Sequence, residues 1–331
     1  NMGGVLFLPE DDPDVVNSKQ MFDPIDRFLW ATGGYAVRYN KGPAFEPKGH
    51  VADYYTDQAV EVIRANRNRP FFLYLAHWAI HTPLQATRAD YDAYPHIESH
   101  TERTYAGMIR ALDRGVGRVL DELREQGLDE NTLVIFTSDN GGAGYLGLPD
   151  VNAPFRGWKM TYFEGGVHVP YMMRWPARIE PGKTFHKPVH HFDIYSTAAA
   201  AAGVPLPDDR KMDGVDLVPF VDGTVDGVPH ETLFWVQDHY RVVLHQGWKL
   251  QRNGPEDEFV WLFELNEDPT EQRNLADQRA DKVRELDALL AVHLAEQVPP
   301  RWDSRGSGAI AIDKHRNEPE SPDDEFVYYP N

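Results

Sequence analysis

The sequence predicts an α/β fold: a mixed, largely parallel sheet flanked by helices, followed by a small C-terminal antiparallel-sheet subdomain. Three observations carry this. The run Leu133-Val134-Ile135-Phe136-Thr137 reads as a buried strand and leads straight into Ser138-Asp139-Asn140-Gly141-Gly142. Open α/β folds place their sites at such carboxyl edges. A long amphipathic helix from about Glu102 to Gln126 precedes that strand, so helix, turn, strand and polar loop follow in the order of a layered α/β unit. Beyond Gly223 the pattern changes to short runs broken by turn residues, as in an antiparallel meander.

Along the chain, residues 1–50 are rich in Pro, Gly and Asp and read as an irregular lead-in. Ala59, Val60 and Ile63 carry helical spacing within Thr56–Ala65. Phe71-Phe72-Leu73-Tyr74-Leu75-Ala76 is an apolar run of strand length, and His77–Pro83 is the loop after it. In the long helix, Tyr105, Met108, Ile109, Leu112, Val116, Val119, Leu120 and Leu123 share one face, and Gly127 stands at the C-terminal cap. Val169–Trp175 predicts a strand and Ile194–Ala202 a helix closed by Gly203-Val204-Pro205. Thr232–Trp235, Tyr240–His245, Trp248–Leu250 and Val260–Leu265 predict the meander, with a helix over 281–296 packed on it. The implied organisation is an α/β portion over 1–225, an α+β subdomain over 226–300 and an extended or mobile acidic tail over 301–331.

The 331 residues suffice for a substantial core, and 41% apolar content is that of a globular protein. The formal charge of −19 argues against nucleic acid as a partner. No window approaches the roughly 18 uninterrupted apolar residues of a membrane span. There are no cysteines, which removes disulfides, thiolate ligands and cysteine nucleophiles and leaves localisation open.

In such an acidic chain, local positive charge matters. Asp139 and Asn140 offer a charged and a neutral oxygen to a hard cation. Lys159, within Arg156-Gly157-Trp158-Lys159 ahead of Glu164-Gly165-Gly166, offers a point charge to an oxyanion. Together they read as a metal-assisted site for an anionic ester. Arg156 either reaches substrate or pairs with a surface acid. Glu164 is expected to hold neighbouring backbone amides, and the adjacent His190 and His191 read as structural or surface groups. Phe234, Trp235, Trp248, Trp261 and Phe263 read as the core of the small sheet.

Four segments together resemble the type I (arylsulfatase-like) sulfatases of the alkaline phosphatase superfamily, over residues 50–300. They are Phe71–Ala76 with His81-Thr82-Pro83-Leu84-Gln85, Thr137–Gly142, Arg156–Lys159 with Glu164–Gly166, and Phe263-Glu264-Leu265-Asn266-Glu267-Asp268-Pro269. The resemblance implies a site at the sheet's carboxyl edge, with Ca2+ (or Mg2+) on Asp139 and Asn140. It implies that His81 faces the sulfate or the leaving oxygen and that Lys159 donates to the sulfate. The substrate would be a small-molecule or carbohydrate sulfate ester.

The family's nucleophile is a formylglycine made within a Cys/Ser-x-Pro-x-Arg segment, and these 331 residues hold no such segment. A Gly-Lys-x-His match is also missing. Asp11 and Asp12 follow an apolar run that imitates the family's first strand, but they read as surface acids. The expectation is a chain lacking the family's leading portion. It would be inactive and bind metal weakly or not at all, and it would self-associate or require a complementary N-terminal chain. Two alternatives stay open: a phosphomonoester, phosphodiester or phosphonate hydrolase of the same superfamily, and a non-catalytic binding or structural module. Asn140, where two-metal members carry His, favours the sulfate ester.

Overall fold

The computed structural model describes residues 5–254, 258–299, 301, 302, 304 and 306–330. The chain forms two compact units. One comprises residues up to Thr132 with Tyr145–Leu148, the other Leu133–Gly144 and the chain from Pro149 onward.

The first unit runs β1 (Val15–Ser18), α1 (Pro24–Thr32), β2 (Val37–Arg38), β3 (Ala44–Phe45), α2 (Val51–Asn66), β4 (Leu84–Thr87), α3 (Arg88–Asp92) and α4 (His100–Glu125). α4 is the predicted long helix. The Ser99 side chain caps it by accepting from the Glu102 amide, and Met108, Ala111 and Leu123 are buried. α2 approaches so closely that a Cβ on Gly115 would stand 2.5 Å from the Thr56 hydroxyl. Arg64–Glu122 at 2.7 Å and Arg114–Asp53 at 3.0 Å tie the two helices at their rim. β1 and β4 pair antiparallel, with Val15 opposite Thr87. Gln85 on β4 accepts from the Phe7 amide at 2.8 Å and donates to the Leu8 carbonyl at 3.2 Å. Residues 6–8 are thus buried by side-chain pinning rather than by a ladder, and Asp11 and Asp12 are exposed.

Residues 71–76 do not form the predicted strand. Phe72 and Tyr74 are 75% and 82% exposed, while Phe71, Leu73 and Leu75 are half-buried. The period of two is that of an extended chain, but no hydrogen-bonded neighbour among the described residues makes it a ladder.

The second unit runs β5 (Val134–Thr137), α5 (Glu164–Val167), β6 (Tyr171–Arg174), α6 (Asp193–Ala201), α7 (Val218–Asp222), β7 (Thr232–Gln237), β8 (Tyr240–His245), β9 (Trp248–Asn253), β10 (Phe259–Glu264), α8 (Ala280–Glu296), β11 (Ser307–Ala311) and β12 (Phe326–Pro330). β5 pairs antiparallel with β6, Val134 opposite Arg174 and Thr137 opposite Tyr171. The ladders among the described residues are all antiparallel, so the parallel pairing expected around β5 is not among them.

The meander appears as a four-stranded sheet in the order β10-β9-β8-β7. Gln246 and Gly247, with φ of 50° and 86°, supply the two left-handed residues that the tight β8–β9 hairpin requires. The sheet is buried on both faces. Val243, Leu250 and Leu262 pack on Leu286 and Leu290 of α8. Tyr240, Val242, Trp261 and Phe263 pack on Phe163, which precedes α5, and on Ile312 and Val327. The expected aromatic core is present through Trp261 and Phe263.

Two expectations about organisation change here. Phe163 shares a core with the meander, so the compact division falls after Thr132 rather than near 225. The predicted mobile tail is largely a hairpin: β11 pairs with β12, Ala311 opposite Phe326, and Ile312 and Val327 are fully buried. Its polar composition concealed these two apolar anchors. Among the described residues no helix is long and apolar enough to cross a membrane.

Candidate active site

β5 ends at Thr137 and delivers the loop Ser138–Gly142. The Ser138 hydroxyl donates to the Asn140 carbonyl at 2.9 Å, and the Asn140 side-chain amide donates to the Gly141 carbonyl at 2.9 Å. These local bonds bend the chain as it leaves the strand. Asp139 is exposed at the bend and forms no side-chain hydrogen bond or ion pair among the described residues; Asn140 is half-buried.

The loop is clasped to the turn that carries Lys159. The Lys159 amide donates to the Gly142 carbonyl at 2.9 Å, and the Gly141 amide donates to the Gly166 carbonyl at 3.0 Å. Asn152 staples the same place: its side-chain oxygen accepts from the Gly142 amide at 2.7 Å, and its nitrogen donates to the carbonyls of Gly142 and Gly157. Only glycine fits the contact. A Cβ on Gly141 would stand 1.8 Å from the Gly165 carbonyl oxygen, and one on Gly166 would stand 2.1 Å from that of Thr161. Asp139, Asn140 and Lys159, far apart in sequence, are thereby brought onto one pair of interlocked loops.

His81 belongs to the other unit. Its Nδ1 donates to the Thr82 carbonyl at 2.8 Å, and its ring lies 5.1 Å from that of Trp78. This contact selects the tautomer with the proton on Nδ1.

Of the two readings of Arg156, the ion pair is what the structure holds. Nε and Nη2 form a two-pronged bond to Asp313 at 2.7 and 2.6 Å, Nη2 also meets Glu325 at 2.8 Å, and Nη1 donates to the Glu271 carbonyl at 2.8 Å. A guanidinium engaged by two carboxylates of the C-terminal hairpin region is a structural brace. Glu164 also differs from expectation, because its carboxylate takes charged partners instead of backbone amides. Lys249 Nζ lies 2.7 Å from Oε1, and His168 Nδ1 lies 2.8 Å from Oε2. Burial works against the charge, but Lys249 and His168 outweigh it and hold this carboxyl at about 2. The backbone amide of Glu164 is met instead by Glu271. His190 stacks on Phe192 with centroids 4.0 Å apart, and His191 Nε2 lies 3.3 Å from the Thr137 hydroxyl at the end of β5.

Sequence reading missed Lys249 and Glu271. The available signal was the polar alternation Lys249, Gln251, Asn253 along one face of a central strand, all three fully buried.

Calcium takes roughly six to eight oxygen ligands. Asp139 and Asn140 can supply two, and among the described residues no group of three or more His, Cys, Asp or Glu side chains could hold a metal. Asp139 and Asn140 do not by themselves make a calcium site. These 331 residues likewise hold no Cys/Ser-x-Pro-x-Arg segment in which formylglycine could be made.

A strand-end acid and amide are clasped to a lysine-bearing turn with an antiparallel sheet packed behind, and the likeness to solved structures places the chain in the alkaline phosphatase superfamily. Comparison with known proteins gives the family. A sulfatase model matches residues 14–204, and the model of the N-sulphoglucosamine sulphohydrolase C-terminal region matches residues 157–298. The chain belongs to the sulfatase family.

It is 36% identical over 223 residues to the uncharacterized sulfatase YdeN of Escherichia coli, covering 65% of this chain and 40% of that protein. It is 34% identical over 312 residues to mouse steryl-sulfatase, covering 77% and 49%. Among solved structures, Ps i-CgsB in complex with k-i-k-neocarrahexaose superposes with a TM-score of 0.71 at 29% identity, covering 79% of this chain and 58% of that one. The chain thus spans half or less of the length of these curated relatives.

Proposed function

We propose that this chain carries one wall of a site that hydrolyses organic sulfate monoesters, with a sulfated carbohydrate as the substrate class. The observation that carries the reading is the clasp, in which the amide of Lys159 is tied to the carbonyl of Gly142 two residues beyond Asn140. Sulfate ester cleavage gathers negative charge on the nonbridging and leaving oxygens, and a fixed ammonium stabilises that charge more than the ground state. Lys159 is the donor to sulfate. In this reading His81, whose Nδ1 donates to the Thr82 carbonyl, serves the sulfate or the leaving oxygen. Asp139 and Asn140 contribute two ligands to a cation whose remaining ligands lie outside this set. The carbohydrate assignment rests on the likeness to the complex of Ps i-CgsB with an oligosaccharide.

Lacking a Cys/Ser-x-Pro-x-Arg segment, the chain by itself is inactive toward sulfate esters in this reading. The exposed Phe72 and Tyr74 support self-association or capture of a complementary chain. Sedimentation of a clean monomer over a wide concentration range would count against that.

The test is calorimetric titration of inorganic sulfate and of calcium into the chain, its Asp139→Ala variant and its Lys159→Ala variant. The expected result is weak sulfate binding lost in Lys159→Ala, with calcium binding weak or undetectable. Equal sulfate affinity in chain and variant would overturn the assignment of Lys159. Micromolar calcium binding lost in Asp139→Ala would overturn the incomplete metal site, and turnover of an aryl sulfate would overturn the inactivity.

A further inference from the structure

Lys249 lies on β9, one of the two inner strands of the meander, and its side chain is fully buried. Its Nζ meets Glu164 Oε1 at 2.7 Å and Glu271 Oε1 at 3.0 Å, and Glu271 is fully buried as well. Gln251, next on the same face, donates to Glu271 at 3.3 Å and accepts from the Tyr240 hydroxyl at 2.7 Å. Burying an ammonium and two carboxylates is costly, and a fully apolar cluster of similar volume would pack as well. What such a cluster retains over an apolar one is a single defined geometry.

That geometry is imposed on the turn behind Lys159. Glu164 is held at three points: its amide by Glu271, Oε1 by Lys249 and Oε2 by His168. The next residue, Gly165, donates its amide to the Arg156 carbonyl at 2.6 Å, and Gly166 accepts from Gly141 at 3.0 Å. A Cβ on Gly165 would stand 2.3 Å from the Gly157 carbonyl oxygen and 2.5 Å from that of Arg156. The turn is thus bonded through backbone to the segment that carries Lys159 and to the loop that carries Asp139, with no room at Gly165 for a side chain.

We propose that Lys249 is a positioning residue for the sulfate site: seated between Glu164 and Glu271, it fixes the Glu164-Gly165-Gly166 turn against which the loops of Lys159 and Asp139 are registered. This rests on the reading of Lys159 given above, and it makes the C-terminal sheet part of the site's machinery.

The experiment pairs hydrogen exchange with sulfate titration on the full chain, comparing the parent with Lys249→Met, Lys249→Arg and Glu164→Gln. In Lys249→Met the amides of Gly141, Lys159 and Gly165 should exchange at least tenfold faster, while amides in β7 and β8 keep their protection. Sulfate affinity should fall at least fivefold, and Lys249→Arg, which keeps the charge, should recover part of both effects. Unchanged exchange at the three loop amides overturns the proposal whatever sulfate does. Loss of protection in the meander at the same time overturns it too, because the role would then be structural. Should Lys249→Met fail to fold, Glu164→Gln reports on the same amides by the same criteria. Failure of the parent chain to bind sulfate would sink the reading of Lys159 and leave the exchange result to decide the role of Lys249.

Discussion

The amide of Lys159 donates to the carbonyl of Gly142 at 2.9 Å, so the cationic turn and the acid-amide loop are fixed to each other through backbone. Backbone contact leaves little room for a side chain nearby. Gly141→Ala would place its Cβ 1.8 Å from the Gly165 carbonyl oxygen, an atom that cannot rotate away. The expected cost is about 3 kcal/mol, the upper end of overpacking penalties, read as a lower denaturant midpoint with the slope unchanged. A midpoint within error of the parent would show that the loops separate easily.

Arg156 predicts a different failure. Its side chain is only 10% exposed, while its partners Asp313 and Glu325 are about half exposed. Arg156→Ala should therefore cost on the order of 2 kcal/mol, the scale of hydrogen bonds to charged groups partly screened by water. Proteolysis should locate the weakness in the C-terminal hairpin, because Arg156 fastens Asp313 and Glu325 while Ile312 and Val327 hold the core behind them. Arg156→Lys, without the two-pronged fork, should recover less than half of the loss. Cleavage spread evenly over the chain would contradict the brace.

These two cases mark what was legible in the sequence. α4 and α8 announce themselves by the helical spacing of one apolar face, and β5 and the meander by short apolar runs broken by turn residues. That the loop of Asp139 and Asn140 and the turn of Lys159 belong together was legible as residue types in a spacing, a strand end followed by glycines and a later lysine turn. Lys249 was not, because in Trp248–Asn253 lysine, glutamine and asparagine look like a solvated face. Their burial is decided by Glu271, 22 residues on, and by Tyr328, whose carbonyl accepts from Asn253 at 2.9 Å. The hairpin at the end was hidden for a related reason: two apolar anchors in an acidic stretch carry no period. The run 71–76 shows the reverse error, a strong strand pattern without a paired neighbour.

The helix α4 supplies a controlled comparison. At Gly117 a Cβ would meet nothing within 4 Å, whereas at Gly107 it would stand 2.9 Å from the Ala86 Cβ and 3.2 Å from the Tyr91 amide nitrogen. Gly117→Ala should stabilise the chain by about 1 kcal/mol, the helix-propensity difference in an interior position. Gly107→Ala gains the same propensity but must push β4 and α3 aside, so its net effect should be destabilising. Thermal unfolding of the two variants side by side checks this, and equal shifts would mean that α4 does not seat as closely on β4 as the structure places it.

His190 makes stability depend on pH. Burial pushes its imidazole down, the charges of His191 and His230 push the same way, and Asp193 and Asp213 pull back, leaving it at about 4. An unfolded histidine titrates near 6.5. Above that pH the ring is neutral in both states and the native contribution is complete. As pH falls from about 6.5 to about 4, the unfolded chain takes up a proton that the folded chain refuses, so stability is lost across that window and the loss is finished below it. His190→Gln should remove this dependence while keeping a polar group beside Phe192. The stability of the parent minus that of the variant, measured by denaturant unfolding at pH 7, 5.5 and 4.5, should therefore fall steadily. A flat difference would mean that the ring charges in the folded state, and that Asp193, whose carboxylate lies 2.8 Å from His230 Nε2, holds His190 charged as well.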